Sequence, residues 1–590
     1  MPAELEEKPY KPVIGLDVGA HISTCRPPPP VPPKLQRRVP LPKPGRRNVL
    51  VTSGLLYAND VPHLGSIVSS VLSADVFARY SRACGVTTLF VGGTDEHGAT
   101  TPTKAAARGC SPRELGDRYH KVHADIYDWF GVEFDVFGRT PNGRHAAMAQ
   151  DLFAKLARNG LVETRAATAA VPPRCGLDGA ALVMGESRST HAFLRLYVLL
   201  PEVEAALAAG GVWSGGAAAW MGEECCITRD MAWGTPVPRV EGFDMGDGSN
   251  KVLWPWFDAC VGHASMTAAA TDAWERWWRD GSGNNKVRLY QFVGADQARF
   301  HSVLFPAAQL GTRDGWTMPH RVKKFSTSRR VGVFADAAVA TGVDADVWRW
   351  CLLWHRAEDG ADVEFCWDSL VEAANTLTAC LERPVARVLD CVNHACFGGV
   401  VPDWRCPYPG ARGAAAAPPP PPPPPEFWLG VFNVLLARYR AYMDALRLRD
   451  AMEVALRMAD QLDALLRRAD AAMHGDDGAV TEDTTEDDFA ADVGMAVNAA
   501  HLVASAVSPF VPAAARRVCE MLRADPTPHL PGEFWIPSIL GEHAHEVGRP
   551  YALFGGPIDP AKAGEWRKQF GGGDMEGGGE DERVVDGPAV

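Results

Sequence analysis

The sequence predicts an α/β fold in which a parallel sheet with crossover helices is followed by a helical bundle. Three observations indicate this. A strand-helix-strand pattern covers residues 48–91, polar clusters follow both of its strands, and apolar residues recur at helical spacing from Asp344 onwards. Ligands of parallel sheets bind beyond the carboxyl ends of the strands. Because the polar clusters 57–66 and 92–98 both fall there, we expect a site at that edge.

The first strand-helix-strand unit begins with the apolar, β-branched run at 49–52, which predicts a buried strand. A turn-rich segment then leads to His63 and Gly65, at the start of a helical pattern that ends near Gly85. A second strand is predicted at 87–91, with a right-handed crossover. This arrangement aims free backbone N–H groups and a helix dipole at an anion such as a phosphate. An isolated His-Leu-Gly triplet is nevertheless more often structural than functional.

The remaining elements divide the chain into predicted regions. Helices are expected at about 112–130 and 144–159, and a strand at 287–293 runs into Gly294 and Asp296. The predicted regions are an N-terminal extension at 1–47, expected to be disordered, a catalytic domain at 48–345 with a reduced insertion at about 161–222, a helical domain at 346–540 with a proline-rich loop at 407–426, and a largely disordered tail at 541–590. The acidic segment 476–488 is expected to be mobile.

Composition limits the function classes. The 590 residues are 46% hydrophobic and 22% charged, which is typical of a soluble globular protein. No apolar run approaches the ~18 residues of a membrane span, so we expect no membrane contact. The net charge of −13 argues against non-specific nucleic-acid binding over the whole surface. Fourteen cysteines without a C-x-x-C indicate a reducing, cytoplasmic location. Organelle targeting by residues 1–47 stays open, although early acidic residues count against it.

Six blocks appear in an order that resembles the methionyl-tRNA synthetases, which are class I enzymes. They are TSGLLYAN with PHLG at 52–65, GTDEHG at 93–98, CITRD with WG at 226–234, WFDA at 256–259, FVG at 292–294 with Asp296 and Phe300-His301, and KFSTS at 324–328. The resemblance covers about 48–540. It implies a Rossmann-type catalytic domain with a connective insertion, a stem-contact region and a helical anticodon-binding domain. It also implies that methionine is activated with ATP and Mg²⁺ and transferred to tRNA, with possible multi-synthetase or other protein partners.

The resemblance implies roles for individual residues. Catalytic roles fall on His63, Gly65, Ser66, Arg229, Lys324, Ser326 and Ser328, and ATP contacts on His63, Gly65, Gly294, Asp296 and Lys324. The methionine site would use Leu55, Tyr57, Asp95, Trp256, Ala259, Cys260, His263 and His301, and the anticodon would meet Arg383 and Arg387. Asp95 would bind the methionine ammonium, and Arg229 would pair with Asp95 or with the methionine carboxylate. The thioether requires an apolar, polarisable pocket.

The sequence also departs from the family pattern. Thr327 replaces a lysine that neutralises the leaving pyrophosphate, a loss of about 3–4 kcal/mol or 10²–10³ in rate. Cys260 and His263 replace pocket residues, and residues 451–473 lack the expected tryptophan. Only Cys175 remains where relatives have zinc knuckles, so no structural zinc is expected. Two alternatives follow: a weakened paralogue that binds tRNA or a protein, and a class I adenylating enzyme for another amino acid.

Overall fold

The computed structural model describes residues 39–98, 100–169, 187–210, 225–243, 245, 251–279, 284–294, 297–325, 333–356, 358, 365–394, 397–402, 425–474, 486–534 and 545–571. No helix within these ranges is long and apolar enough to cross a membrane. The predicted fold class is confirmed: a parallel sheet carries the first half of the chain, and a helical region follows it.

In the described part of the chain, six of the eleven strands form the central parallel sheet. The strands of the chain are β1 (Asn48–Ser53), β2 (Leu56–Tyr57), β3 (Thr87–Asp95), β4 (Val136–Arg139), β5 (Val162–Ala169), β6 (Ser187–Leu194), β7 (Cys225–Cys226), β8 (Thr228–Asp230), β9 (Lys251–Leu253), β10 (Val287–Gly294) and β11 (Pro319–Phe325). The order is β11-β10-β1-β3-β2, and β4 also pairs with β3. Val51 lies opposite Phe90 on β3 and Tyr290 on β10, so β1 is central.

Among the described residues, helices cover both faces of the sheet and make up the region that follows it. They are α1 (Leu64–Ser66), α2 (Ser73–Ala83), α3 (Thr101–Ala107), α4 (Pro112–Trp129), α5 (Gly143–Arg158), α6 (Leu196–Gly210), α7 (Pro255–Asp258), α8 (Gly262–Ala270), α9 (Glu275–Trp278), α10 (Phe305–Gly311), α11 (Ala335–Ala340), α12 (Ala345–His355), α13 (Trp367–Leu377), α14 (Arg383–Asn393), α15 (Pro425–Asp444), α16 (Leu448–His474), α17 (Glu486–Val507), α18 (Pro512–Met521) and α19 (Ala561–Phe570). The helix predicted after Gly65 is α1, a π-helical segment at Ile67–Leu72 and α2. It ends before Gly85, whose φ is +72°.

The two faces of β1 belong to two different cores. Side chains alternate along a strand, so Val49 and Val51 join one core while Leu50 joins the other. The first core continues through α2 into α12–α18, and the second contains α5, α6, α8 and α10. The sheet is therefore packed directly against the helical region, and both parts share one apolar core.

Arg349 on α12 fastens the helical region to the sheet domain. It is fully buried, and its Nη2 lies 2.7 Å from Asp75 Oδ2 on α2. The same guanidinium donates to the carbonyls of Phe130, Pro509 and Phe510. Burial alone would raise the pKa of Asp75, but Arg79 and Arg349 lower it to about 2. The carboxylate is therefore ionised, and four segments of the chain, at 75, 130, 349 and 509–510, meet at this ion pair.

The structure corrects the predicted boundaries at both ends. Residues 39–47 are not a disordered extension, because Trp277 and Arg276 on α9 donate to the carbonyls of Pro40 and Pro42. Residues 545–571 are not a disordered tail. They include α19, whose Trp566 packs on Trp367 of α13 with ring centroids 5.8 Å apart. The glycine-rich end of the predicted tail dominates its composition and therefore hides the apolar side chains of this segment.

Three further segments differ in part from prediction. The alanine-rich insertion contains an eight-residue antiparallel pairing of β5 with β6, followed by α6. Its weak periodicity gave no sign of this. The helix α15 begins at Pro425, inside the predicted proline-rich loop, and α17 begins at Glu486, inside the predicted acidic loop. Residues 407–424 and 476–485 lie outside the described residues.

Candidate active site at the carboxyl edge of the sheet

The carboxyl ends of β1, β3 and β10 bring the polar clusters of the sequence together. The segments that leave these strands begin at Gly54, at Glu96 and after Gly294. Gly54 N–H donates to the carbonyl of Phe292 on β10, and Ala58 N–H donates to that of Asp95 on β3, at 2.8 Å each. The loop after β1 is therefore held between the ends of its two neighbouring strands, as the topology requires.

His63 caps the helix that starts this site. Its backbone is extended, with φ −75° and ψ 144°, and its Nδ1 accepts the Gly65 N–H at 3.0 Å. Burial lowers the pKa of His63, so the ring is neutral near pH 7. Since Nδ1 is an acceptor, the proton is on Nε2. That buried Nε2 has no hydrogen-bond partner, so it is an unused donor at the start of the helix.

The expectation of free backbone N–H groups at this helix start is wrong. Gly65 N–H is taken by His63, Ser66 N–H donates to the His63 carbonyl at 3.0 Å, and Leu64 N–H donates to the Val333 carbonyl at 3.4 Å. A side-chain cap and a neighbouring segment satisfy the first turn. An anion at this point would meet the imidazole of His63 rather than a row of open amides.

Asp95 ends β3 as a buried carboxylate. Its Oδ1 accepts the His97 N–H at 2.9 Å and the Thr140 hydroxyl at 3.2 Å. Burial raises the pKa of Asp95, and the nearby His97 opposes this. Both hydrogen bonds reach Oδ1, which leaves Oδ2 for a cationic ligand. Asp95 is therefore oriented by its neighbours, and a cation that bound it would replace missing solvation.

Arg229 does not pair with Asp95, one of its two expected partners, and its pairing with the methionine carboxylate stays a prediction. Its Nη1 donates to the carbonyls of Cys226 and Thr228, at 3.3 and 2.9 Å, and its guanidinium lies 5.0 Å above the Trp254 ring. The short pairing of β8 with β9 holds the Arg229 side chain next to Trp254, which directly follows β9. Sequence spacing cannot predict such a contact, because it depends on how β9 returns beside β8.

Aromatic and apolar side chains line the predicted amino-acid pocket. Trp256 stacks on Phe300, with ring centroids 3.9 Å apart and planes at 10°, and meets the edge of Tyr57 at 6.2 Å. Leu55, Ala259 and Cys260 are buried beside them. Since Tyr57 pairs with Asp95 in the sheet, the aromatic group and the carboxylate are neighbours. The predicted residues are thus brought together, and Phe300 joins them as the stacking partner.

Two buried histidines in this region carry no charge near neutral pH. His263 Nε2 donates to the Ser53 carbonyl at 2.7 Å, and burial lowers its pKa to about 4. Burial also lowers the pKa of His301 far below its usual value, and the nearby His263 lowers it further. Their rings lie 6.2 Å apart. An uncharged lining of this kind suits a neutral, polarisable side chain such as a thioether.

Two residues that the sequence did not single out also shape the site. Thr140 follows β4 and holds Asp95. Gln297 is 7% exposed, donates to the Leu55 carbonyl at 3.3 Å, and has a buried Oε1 without a partner. A Cβ at Gly54 would lie 2.1 Å from that oxygen, so a larger residue there would require the Gln297 side chain to move. Thr140 could have been found by the same rule as Asp95, since it follows a strand.

Several predicted residues lie partly or wholly outside the described part of the chain. Asp296, Ser326 and Ser328 are among them, and so is Thr327. The backbone of Lys324 is described: it lies opposite Val293 and is the second-last residue of β11, and Gly294 is the last residue of β10. The KFSTS block at 324–328, which is the second signature of the family pattern, therefore begins at the same sheet edge as His63 and Asp95.

The predicted anticodon residues begin the helix α14. Arg383 is its exposed first residue, and Arg387, one turn later, forms an ion pair with Asp463 on α16. The arginine expected to meet RNA is thus engaged by a carboxylate within the chain. The described α16 contains no tryptophan.

Comparison with known proteins agrees with this arrangement. A profile of the family described as "tRNA synthetases class I (M)" matches residues 49–177 and 173–389. The probable cytoplasmic methionine–tRNA ligase of Schizosaccharomyces pombe is 36% identical over 91% of this chain and 73% of its own length. The cytoplasmic methionine–tRNA ligase of Saccharomyces cerevisiae is 34% identical over 90% of this chain and 74% of its own. The chain belongs to the methionyl family of class I tRNA synthetases.

A solved structure agrees at the level of the fold. The Mycobacterium tuberculosis methionyl-tRNA synthetase in complex with methionyl-adenylate superposes with a TM-score of 0.68 at 19% identity, over 86% of this chain and 99% of that one. Membership of this class I family explains why polar residues collect at the carboxyl edge of the parallel sheet in this synthetase-like chain.

Proposed function

We propose that the chain is a methionine–tRNA ligase, which activates methionine with ATP and transfers it to tRNA. The supporting observation is that the Asp95 carboxylate lies next to the uncharged aromatic pocket. A buried carboxylate with one open oxygen suits the ammonium, and the stacked pair Trp256–Phe300 suits the thioether. Membership of the methionyl family supports the same substrate. We find no observation among the described residues that favours the paralogue or another amino acid.

In the proposed first step, a methionine carboxylate oxygen attacks the α-phosphorus of ATP, and the bond to pyrophosphate breaks. Such a transfer depends on positioning and on stabilisation of charge. The neutral His63 would donate from Nε2 to a phosphate oxygen, without itself losing a proton. Asp95 would fix the ammonium, and the pocket would exclude water from the thioether end.

In the proposed second step, a terminal ribose hydroxyl of tRNA attacks the carbonyl carbon of the adenylate and releases AMP. Gly294, Asp296 and Lys324 are proposed to contact the nucleotide, together with Ser326 and Ser328. Mg²⁺ would neutralise phosphate charge, as in other phosphoryl transfers. We further propose that the insertion contains no zinc knuckle, because Cys175 alone cannot form a four-thiolate site.

The helical region is proposed to bind the anticodon arm through Arg383 and Arg387. Since Arg387 is paired with Asp463, RNA would have to compete with that carboxylate. An arginine at position 383 can contact a backbone phosphate, and it reads bases differently from a neutral side chain. A cytoplasmic location and association with other synthetases also remain proposals.

The test is methionine-dependent exchange between ATP and pyrophosphate by the full chain. We expect exchange with methionine, and none with leucine or isoleucine. A folded protein that binds tRNA without exchange would contradict the proposal and favour the paralogue. Exchange with another amino acid would show that Cys260 and His263 have changed the specificity.

A further inference from the structure

Three buried side chains from distant parts of the sequence converge behind the candidate active site. His97 follows β3, His145 lies on α5 and Asp258 ends α7. They are 7%, 0% and 1% exposed. One nitrogen or oxygen atom from each lies within 4.8 Å of the other two. Two imidazoles and a carboxylate are the donor set that Zn²⁺ prefers when thiolates are absent.

Two atoms of this cluster are buried without a hydrogen bond. His145 Nε2 lies 3.0 Å from Asp258 Oδ2 but has no hydrogen-bond partner, and Asp258 Oδ1 has none either. His97 Nδ1 makes a regular hydrogen bond to Asp258 Oδ2, at 2.6 Å. Buried polar atoms are rarely left unpaired. The cluster therefore offers a lone pair on His145 and an open oxygen on Asp258 in a region that excludes water.

A neighbouring residue orients His145 as a ligand. Its Nδ1 lies 2.9 Å from Ser265 Oγ, whose own hydroxyl donates to the Gly262 carbonyl at 2.8 Å. Since that hydroxyl hydrogen is used, Ser265 accepts the proton of His145 Nδ1. The free lone pair of a neutral His145 is then on Nε2, which faces Asp258. Metal-binding histidines are typically held in this way, by donation from the second ring nitrogen.

We propose that His97, His145 and Asp258 bind one Zn²⁺ ion. A tetrahedral site with bonds of about 2.0–2.2 Å places ligand atoms about 3.3–3.6 Å apart. His97 Nδ1 and Asp258 Oδ2, now 2.6 Å apart, would therefore have to separate by about 0.7–1 Å. His145 Nε2, which lies 3.0 Å from Asp258 Oδ2, is closer to this spacing. Asp258 Oδ1 or a water molecule completes the four positions. This site is distinct from a four-thiolate zinc knuckle in the insertion.

The ion would join the two halves of the candidate amino-acid site. His97 also donates its backbone N–H to Asp95, and Asp258 shares α7 with Trp256. A metal at this point fixes the ammonium-binding carboxylate relative to the stacked aromatic pair. The proposal concerns metal binding and does not depend on the proposed ligase activity.

The test is the zinc content of the purified full chain after loading with Zn²⁺ and removal of free metal. We expect about one equivalent in the native protein and loss of that equivalent in Asp258→Asn and His145→Asn. Ser265→Ala keeps all three ligands and should weaken zinc binding about 10- to 100-fold. His191→Asn is the matched control, because His191 is a buried histidine 3.2 Å from Asp230 but outside the cluster. It should retain the zinc.

Substitution with Co²⁺ separates this site from metal held by the cysteines. We expect tetrahedral d–d absorption without thiolate charge-transfer bands, and circular dichroism checks that each variant is folded. Native protein without bound zinc would overturn the proposal and show that hydrogen bonds alone stabilise the cluster. Zinc retained in folded Asp258→Asn, or thiolate bands in the Co²⁺ form, would also overturn it.

Discussion

Replacement of His63 separates its two expected roles, which are to cap the helix through Nδ1 and to donate a hydrogen bond from Nε2. Asparagine at this position keeps a side-chain oxygen that can accept the Gly65 N–H, as asparagine does at many helix N-caps. It removes the unpaired Nε2 donor. Alanine removes both. The structure therefore predicts that His63→Asn changes stability little, whereas His63→Ala loses about 1 kcal/mol through the missing cap.

Both variants should lose the same part of the activity. Removal of one positioned donor to a developing charge costs about 2.7–4 kcal/mol, or 10²–10³ in kcat. The assays are methionine-dependent ATP–pyrophosphate exchange at saturating substrates and urea denaturation of each variant. If His63→Asn exchanged within a few-fold of the native rate, Nε2 would not be the phosphate donor. If it lost activity only in proportion to lost stability, the role of His63 would be capping alone.

Further predictions concern the carboxylate, the domain junction and the second signature. Asp95→Asn should raise KM for methionine about 10- to 100-fold, because a hydrogen bond to a charged group contributes about 1.5–3 kcal/mol; an unchanged KM would refute the ammonium contact. In the native chain KM should rise as the pH falls through the Asp95 pKa, which burial raises above 3.8, and in Asp95→Asn this rise should disappear; its persistence would assign it to another group. Arg349→Met should destabilise the chain by about 3–5 kcal/mol, measured by urea denaturation at pH 7. Since the pKa of Asp75 is lowered to about 2, this difference should be complete above pH ~4 and shrink as the pH falls towards 2, and a loss below 1 kcal/mol would show that Asp75 is satisfied by Arg79. Thr327→Lys should raise the exchange rate by up to about 10²–10³ if that position limits the rate, whereas an unchanged rate would show that it does not.

The fold was predictable where the local pattern and the tertiary environment agree. The strands β1, β3 and β10 are short apolar runs bounded by turns, and each leads to a polar cluster. β4 was missed because four residues that include Gly138 give too little periodicity. That omission hid Thr140, which holds Asp95. The structure of segment 545–571 was not predicted, because the glycine-rich end dominates the composition of the tail. The apolar residues of the segment are buried against α13, which is far away in sequence.

For the described residues, the sequence predicted which side chains lie near this sheet edge but not which contacts they make there. His63, Asp95 and Trp256 lie at one sheet edge, as expected from the order of the strands. The orientation of the Arg229 side chain depends on its contact with Trp254. Whether the Gly65 N–H is hydrogen-bonded depends on the rotamer of His63. Both are decided by packing between segments. The convergence of His97 with Asp258 spans 161 positions, and no sequence spacing announces it.

The charging of tRNA tests the central proposal most directly. The full chain, ATP, Mg²⁺ and labelled methionine are incubated with a tRNA that has a CAU anticodon, and with one that does not. We predict methionine esterified to the first tRNA only, with a rate that falls strongly in His63→Asn. A folded chain that exchanges pyrophosphate but esterifies neither tRNA would contradict the ligase assignment.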